Sequence, residues 1–579
     1  MLRSAALPHP EKVRTLSVRL LRIECGADEA LKEEYVSGGR RNRLTRSAWP
    51  GIEGAELLVG QIFTSRPGWI SFVEEQAGMQ PDNLIASGAG GVLFLPVDDR
   101  IFAICFGHIH MALEDEAFER QFGLKVTLNS VPRDGLRTLD LATPDAVTFQ
   151  KRVQASKDSD VQDFGVDVLR DLARVAGGTP SEASFAKFVA GRDSLSITCK
   201  LASDDLLNKC EQILQIYRSN TYKQRFPWID NMQVVRDRAT LNALDRKLFA
   251  ALTALRDGGD SELHMAPPEI VDYQEGCLLH YNGFGSSGTD FHSLSIEDYV
   301  AELDRCDFDG TIDDIRERHY IKAKAPDSEV FKVQWRVYHC FTFETSLRTD
   351  GVSNSYVLFS GQWYCVERNF KRQVEARFQA IPRVAIIGAT HCRNERELIA
   401  HLEESRSDLL CLDQVKINPL GVRYANIEPC DFLSNARQFI HLKDGHSSGP
   451  ISHLWAQGVV SAESLVSDAD FRKKLRKVVS ARRRAALALL PAINGRVVRS
   501  DYTVVYGVMR KPYRNGDLDL PFFSKVSLQA AVDRIEQLDI PVTLEIIAKP
   551  AHEQEEQGVD SGDDDGEIES PDAGFGEEE

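Results

Sequence analysis

A multidomain mixed α/β (α+β) protein is the class this sequence predicts, and three observations carry that expectation. The chain has 579 residues, enough for roughly three to four domains with sizeable cores. Its composition, 42% hydrophobic and 27% charged, is that of an ordinary globular protein. Segments with the two-residue alternation of strands then interleave with segments of helical period along the whole length. No apolar run reaches the roughly 18 residues of a membrane span, so no membrane association is expected. The start, MLRSAALPHPEK, lacks the apolar stretch of a secretory signal. The 11 cysteines are scattered singly with no CxxC pair, which predicts reduced thiols in a cytoplasmic protein rather than a disulfide or zinc framework.

The formal charge of −18 is unevenly spread, because residues 553–579 hold 13 Asp and Glu and no Lys or Arg, leaving −5 for the body. That Gly- and acid-rich tail is expected to be disordered. It either solubilises the chain or imitates nucleic acid and competes for a basic groove.

Four regions follow, at 1–200, 201–380, 381–552 and the tail 553–579. In the first, an α/β region, LSVRLLRI, GGVLFLP and RIFAICFGHIHM read as strands, with a turn at Asp98 and Asp99. His108 and His110 then share a strand face, an arrangement more often structural than metal-binding. VLRDLARVAG and SEASFAKFVAG read as short helices stopped by glycine. In the second, SDDLLNKCEQILQIYRS and LNALDRKLFAALTALRDGG are helical, and Ser295 with Asp298 forms a capping box. GFGSSG matches a dinucleotide fingerprint by letter, but its third glycine opens no helix, so no dinucleotide is expected. FKVQWRVYHCFTFETSL and SYVLFSGQWYCVE predict a sheet with a turn at Gly361, in which Trp335, Trp363 and Tyr364 are core aromatics or base-stacking platforms.

The third region has an informative order: strand RVAIIGA, helix NERELIAHLEES capped by Asn394, strands LLCLDQVKI, IEPCDFL and QFIHLK, helix PISHLWAQ, a basic helix, strand YTVVYGVM, helix LQAAVDRIEQL and strand PVTLEII. Strand geometry places Asp431 on one strand, with His441 and Lys443 on one face of the next. Asp431 and His441 could bind a metal that activates water for phosphodiester cleavage. Without a metal, Asp431 could stabilise a sugar cation or activate water while Lys443 contacts phosphate or acts as an amine nucleophile, the chemistry of base excision. A buried Asp–Lys ion pair with a hydrogen-bonded histidine is the non-catalytic alternative. His446 and His453 lie nearby, at gaps that match no zinc-ligand spacing.

The helix–strand–strand–strand–helix–strand order resembles the core of the PD-(D/E)xK nuclease superfamily. The resemblance implies a restriction-endonuclease-like domain, a mixed central sheet flanked by helices, with a divalent cation (Mg²⁺ or Mn²⁺) and a lysine that activates water. It implies Asp431 as the strand carboxylate, Lys443 as the catalytic lysine, Glu397 as a helical carboxylate ligand, and Gln457 as the helical glutamine, with Glu428 at the strand start. His441 departs from the pattern by standing where the second carboxylate belongs, and an imidazole suits Mn²⁺ better than Mg²⁺. The implied metal ligands are Asp431, His441 and Glu397.

The basic helix strengthens an expectation of nucleic acid. Phe471, Leu475, Val478, Val479 and Ala486 form an apolar stripe, while Arg472, Lys473, Lys474, Arg476, Lys477, Arg482, Arg483 and Arg484 supply eight positive charges of one sign. The expectation is a phosphate-tracking helix beside the candidate site; a solvated face or a dock for the acidic tail is the plainer reading. Over nearly the whole length, FAICFGHIHM, FGLKVTLNSV, SGQWYCVERNF, IEPCDFL, FIHLKDGHSSGPISHLWAQGVVSA and LPFFSKVSL resemble a sporadically distributed, little-characterised bacterial family, in which the residue after FIHLK is usually basic rather than Asp444. Sporadic distribution associates such families with phage defence. The resulting expectation is a DNA-processing enzyme acting on phage DNA: a nuclease first, a glycosylase excising modified bases (with no cofactor) second, and a catalytically inactive DNA-binding sensor third.

Overall fold

The computed structural model describes residues 11–550 except 37–43, 67–69, 71–72, 75–83, 144–147, 169–170, 203–204, 260, 272–277, 286–288, 325–330, 350–351, 419–426, 446–447 and 513–517. The acidic tail, His446 and Gly288 lie outside the described residues. Helices and several sheets, mostly antiparallel, make a mixed α/β architecture. Among the described residues no helix is long and apolar enough to cross a membrane.

Ten strands between Lys12 and Leu201 build an antiparallel sheet, with Lys12–Leu20 central between Arg100–Gly107 and Leu195–Leu201. Its inward residues, among them Leu16, Val18, Leu20 and Phe102, pack with the helices Phe122–Ser130 and Leu206–Arg218. Two expected helices are strands here. Leu172–Gly178 and Phe188–Gly191 pair with each other and with their neighbours, including Leu136–Thr143. Their glycines belong to close packing rather than to helix stops: a Cβ on Gly191 would lie 2.2 Å from the Gly123 carbonyl carbon. Neighbouring strands thus override a weak helical preference. The two-histidine strand face does not form either, because the strand ends at Gly107 and His110 lies in the 3₁₀ turn Ile109–Ala112.

The middle of the chain carries a five-stranded sheet and a three-stranded sheet around helix Arg238–Arg256. Ser295 caps its helix as expected by accepting the Asp298 amide, though without the reciprocal bond of a full capping box. Asp237, which carried no such expectation, caps Arg238–Arg256 by accepting the Thr240 amide. The hairpin turn at Ser360 and Gly361 has positive φ at both residues. Trp335, Trp363 and Tyr364 are buried, which makes them core aromatics and removes them as stacking platforms.

In the C-terminal unit, strands β1 (Leu409–Cys411), β2 (Phe432–Ser434), β3 (Gln438–Asp444), β4 (Thr503–Arg510) and β5 (Val542–Ala548) lie side by side in chain order. The pairs β1–β2 and β2–β3 are antiparallel, and β3–β4 and β4–β5 parallel, so β2 alone opposes the others. Alternation along the strands serves two layers. Ile440, Leu442, Val505 and Met509 face helix α1 (Glu395–Ser405), whereas Val504, Tyr506 and Val508 face α2 (Ser448–Ser467) and α4 (Phe522–Glu536). Helix α3 (Ala469–Arg482) covers the β1–β2 end through Phe471, Leu475 and Val479. RVAIIGA is not a strand: only Arg383 bridges to β5, and the amides of Ile386, Ile387 and Gly388 are taken by the buried Glu545 carboxylate. A carboxylate that satisfies three amides replaces a strand neighbour there.

Candidate functional site

The site forms at the end of β3, where α1 begins and the segment before β2 crosses. Asn394 caps α1 by accepting the Glu397 amide at 2.9 Å. That fixes Glu395, the first residue of the helix, against β3, where its carboxylate takes the Lys443 ammonium at 3.0 Å and the Asp444 amide at 3.3 Å. Lys549, buried, holds Asp444 in turn at 2.5 Å. Asp444 therefore has its charge answered by a lysine more than a hundred residues away.

Asp431 is half-buried and precedes β2. Its main chain binds on both sides, donating to the Ile440 carbonyl and accepting from the Leu412 amide, and its carboxylate accepts the Leu442 amide at 2.6 Å. Burial first, and then the charges of Glu395, Asp413 and Glu428, push its carboxyl up to about 7 against the opposing pull of that amide. A carboxyl poised near neutrality among other carboxylates is a property of acid–base and cation sites. Gln457 of α2 donates to Glu428 at 2.9 Å, and Ser461 to the Pro429 carbonyl at 2.5 Å, so α2 clamps the segment that delivers Asp431.

Two expected ligands fall elsewhere. Glu397 turns back on its own helix, accepting the Arg393 amide and the Asn394 side chain, so the helical carboxylate beside Lys443 is Glu395 and not Glu397. The capping position itself was the signal, since a first-turn glutamate two residues before an N3 capping partner points away from that cap. His441 is 2% exposed, its ring 6.1 Å from Tyr506, with Nε2 buried and without a hydrogen-bond partner. Burial drops its imidazole to about 4. It is a neutral core residue under α2, which corrects its expected place among the metal ligands and the catalytic groups. His453 is exposed, and among the described residues no three His, Cys, Asp or Glu side chains gather as a ligand group.

The basic helix is also corrected in part. Arg472 is buried and donates to the carbonyls of Leu465, Val466 and Ile493. Arg476 bonds the carbonyls of Leu487, Leu490 and Pro491, and Arg483 those of Ser407 and Leu409. Arg482 reaches the Cys411 carbonyl, and Lys474 joins Asn418 and Asp470. The guanidinium fork suits several carbonyls at once. Lys473, Lys477 and Arg484 remain exposed, as does Arg482.

The ten described cysteines are all free. Burial raises the thiols of Cys340 and Cys430 well above their ordinary value, which leaves them inert. A sequence model of a family of unknown function, DUF6119, matches residues 16–548. No curated protein and no solved structure matches the chain.

Proposed function

The chain belongs to that family of unknown function, and from the site we propose a DNA-processing hydrolase that cleaves phosphodiester bonds at Asp431, Glu395 and Lys443, acting in defence against phage. The observation that carries this reading is the meeting of Lys443 with Glu395, beside a carboxyl that burial, and after it the charge of acidic neighbours, pushes up to about 7. The strand sequence supports it: five strands in chain order with the second opposed to the rest agree with the restriction-endonuclease-like core that the motif order resembles.

Glu395, Asp413 and Glu428 act on Asp431 through their charge without closing into a three-ligand group among the described residues, and a divalent cation would relieve the part of the shift that this repulsion causes. Asp431 and Glu395 would hold it. Two carboxylates suffice when water and substrate phosphate complete an octahedral shell. A bound cation supplies Lewis acidity and a more acidic water. Lys443 lies where it can pair with a non-bridging phosphate oxygen once it leaves Glu395, and Gln457 keeps Glu428 and the Asp431 segment in place. The residual positive surface of Lys473, Lys477, Arg482 and Arg484 would track the backbone.

One observation favours a second reading, base excision without a metal: His441 is sealed in the core where a second strand carboxylate would stand. Incubating the purified full-length protein with modified and unmodified phage DNA, with Mg²⁺ or Mn²⁺ or with EDTA, separates the readings. Strand breaks that need the cation support the nuclease. Abasic sites formed in EDTA and opened only by alkali replace it with the glycosylase, and retarded DNA without product replaces both with a sensor.

A further inference from the structure

A second cluster of charge lies far along the chain from Asp431, where the ten-stranded sheet meets the five-stranded one. Arg120, Arg174, Arg192 and Asp193 line a small cleft with Ser360, Gln362 and Tyr364 from the facing hairpin. Three guanidinium groups thus line the cleft beside one lining carboxylate, which is already shared, while Asp115 acts on Arg120 from outside it. Asp193 takes Arg120 at 3.2 Å, the Gln121 amide at 2.8 Å and, at 3.8 Å, Arg192. Arg174 is left with neutral partners: the Ser360 hydroxyl at 2.8 Å, the Pro268 carbonyl at 3.3 Å and the Phe359 ring at 5.1 Å. Its Nη1 is buried and has no hydrogen-bond partner among the described residues.

A buried guanidinium with an empty donor is costly unless something answers its charge. Burial, followed by the like charge of Arg192, lowers Arg174 to about 10. With Arg120 and Arg192 lining the same cleft and Asp193 its only lining carboxylate, guanidinium donors exceed the acceptors that face them. The donors suit a tetrahedral oxyanion: guanidinium forks match phosphate oxygens two at a time, and the Tyr364 phenol and Gln362 amide line the same cleft.

We propose that the cleft lined by Arg120, Arg174, Arg192, Ser360 and Tyr364 binds a phosphate group, either free or at the end of a nucleotide or nucleic acid. Calorimetric titration of the full-length protein at constant ionic strength, with chloride as the competing anion, tests this. The probes are inorganic phosphate, a nucleoside monophosphate, and a 5′-phosphorylated oligonucleotide beside its unphosphorylated twin. Saturable binding of at least one phosphate-bearing probe is expected, at least about tenfold weaker in Arg174→Gln and in Arg192→Gln. Binding of inorganic phosphate identifies the free ion as the ligand; binding of the nucleotide or of the phosphorylated oligonucleotide alone identifies the carrier. Arg192 is half-exposed, so its variant decides the matter if Arg174→Gln fails to fold. No saturable binding of any probe, or equal binding by wild type and folded variant, overturns the proposal.

Discussion

In the C-terminal unit, the arginines of α3 and of its C-terminal cap hand their donors to main-chain carbonyls, whereas Asp431, beside Lys443, is held against ionisation by burial and by the charge of nearby carboxylates. Arg472, Arg476 and Arg483 between them bond eight carbonyl oxygens of neighbouring turns. Their charge lowers the energy of the fold. Asp431 does the reverse, since its environment resists ionisation at neutral pH. Charge that stabilises its own fold is structural, and charge held at a cost marks a site.

Substitutions break this contrast in order of size. Lys443→Met should lower turnover by about a hundredfold or more while leaving the melting temperature near wild type, because Lys443 and Glu395 are both partly exposed; single-turnover cleavage beside a thermal melt reads both. Next, Arg472→Gln should cost about 3 kcal/mol in a denaturant melt, since it leaves buried carbonyls unanswered. Lys473→Gln, one residue along but exposed, should stay within about 0.5 kcal/mol. Equal costs for the pair would erase the distinction between structural and free charge on α3.

A smaller effect comes from pH. His441 has a folded value near 4 against an ordinary 6.5, so the unfolded chain takes up the proton first. Its contribution is present above pH 6.5 and is lost as pH falls through 4, on the order of 2–3 kcal/mol in all. Replacing His441 by Phe should flatten that acid limb in a chemical-denaturation series; an unchanged limb would show that the imidazole is not buried neutral. The smallest effect on stability belongs to the triple change of Lys473, Lys477 and Arg484 to Gln. The melt should not move, but the salt dependence of DNA binding should flatten by roughly one unit of slope per lost phosphate contact. An unaltered slope removes α3 from the DNA surface.

How much of this was legible can be judged from particular residues. Asn394, Ser295 and Gly361 announced their caps and turn because those signals are local. That Asp431, Lys443 and Gln457 fall in one region was legible because a strand's two-residue period and a helix's order survive in sequence, although Asp431 lies one residue before its strand. Glu395 was missed in favour of Glu397, since only the direction of a capped first turn distinguishes them. Strands Leu172–Gly178 and Phe188–Gly191 read as helices because their partners, not their own residues, decide their form. The arginines of α3 and its C-terminal cap could not be sorted, because the carbonyls they serve are placed by segments up to 76 residues away. Nor does sequence show that Arg174 lacks an acidic partner.

The most direct test of the central claim is Asp431→Asn, followed for DNA turnover and for stability at pH 8. The carboxyl's folded value of about 7 lies above its ordinary 3.8, so folding favours its neutral form. No penalty exists below pH 3.8, and the penalty grows as pH rises through 7. The variant should therefore lose turnover and gain stability, on the order of 1–3 kcal/mol after allowing for partial exposure. A variant that keeps its turnover, or that loses turnover together with stability, would contradict the role given to Asp431.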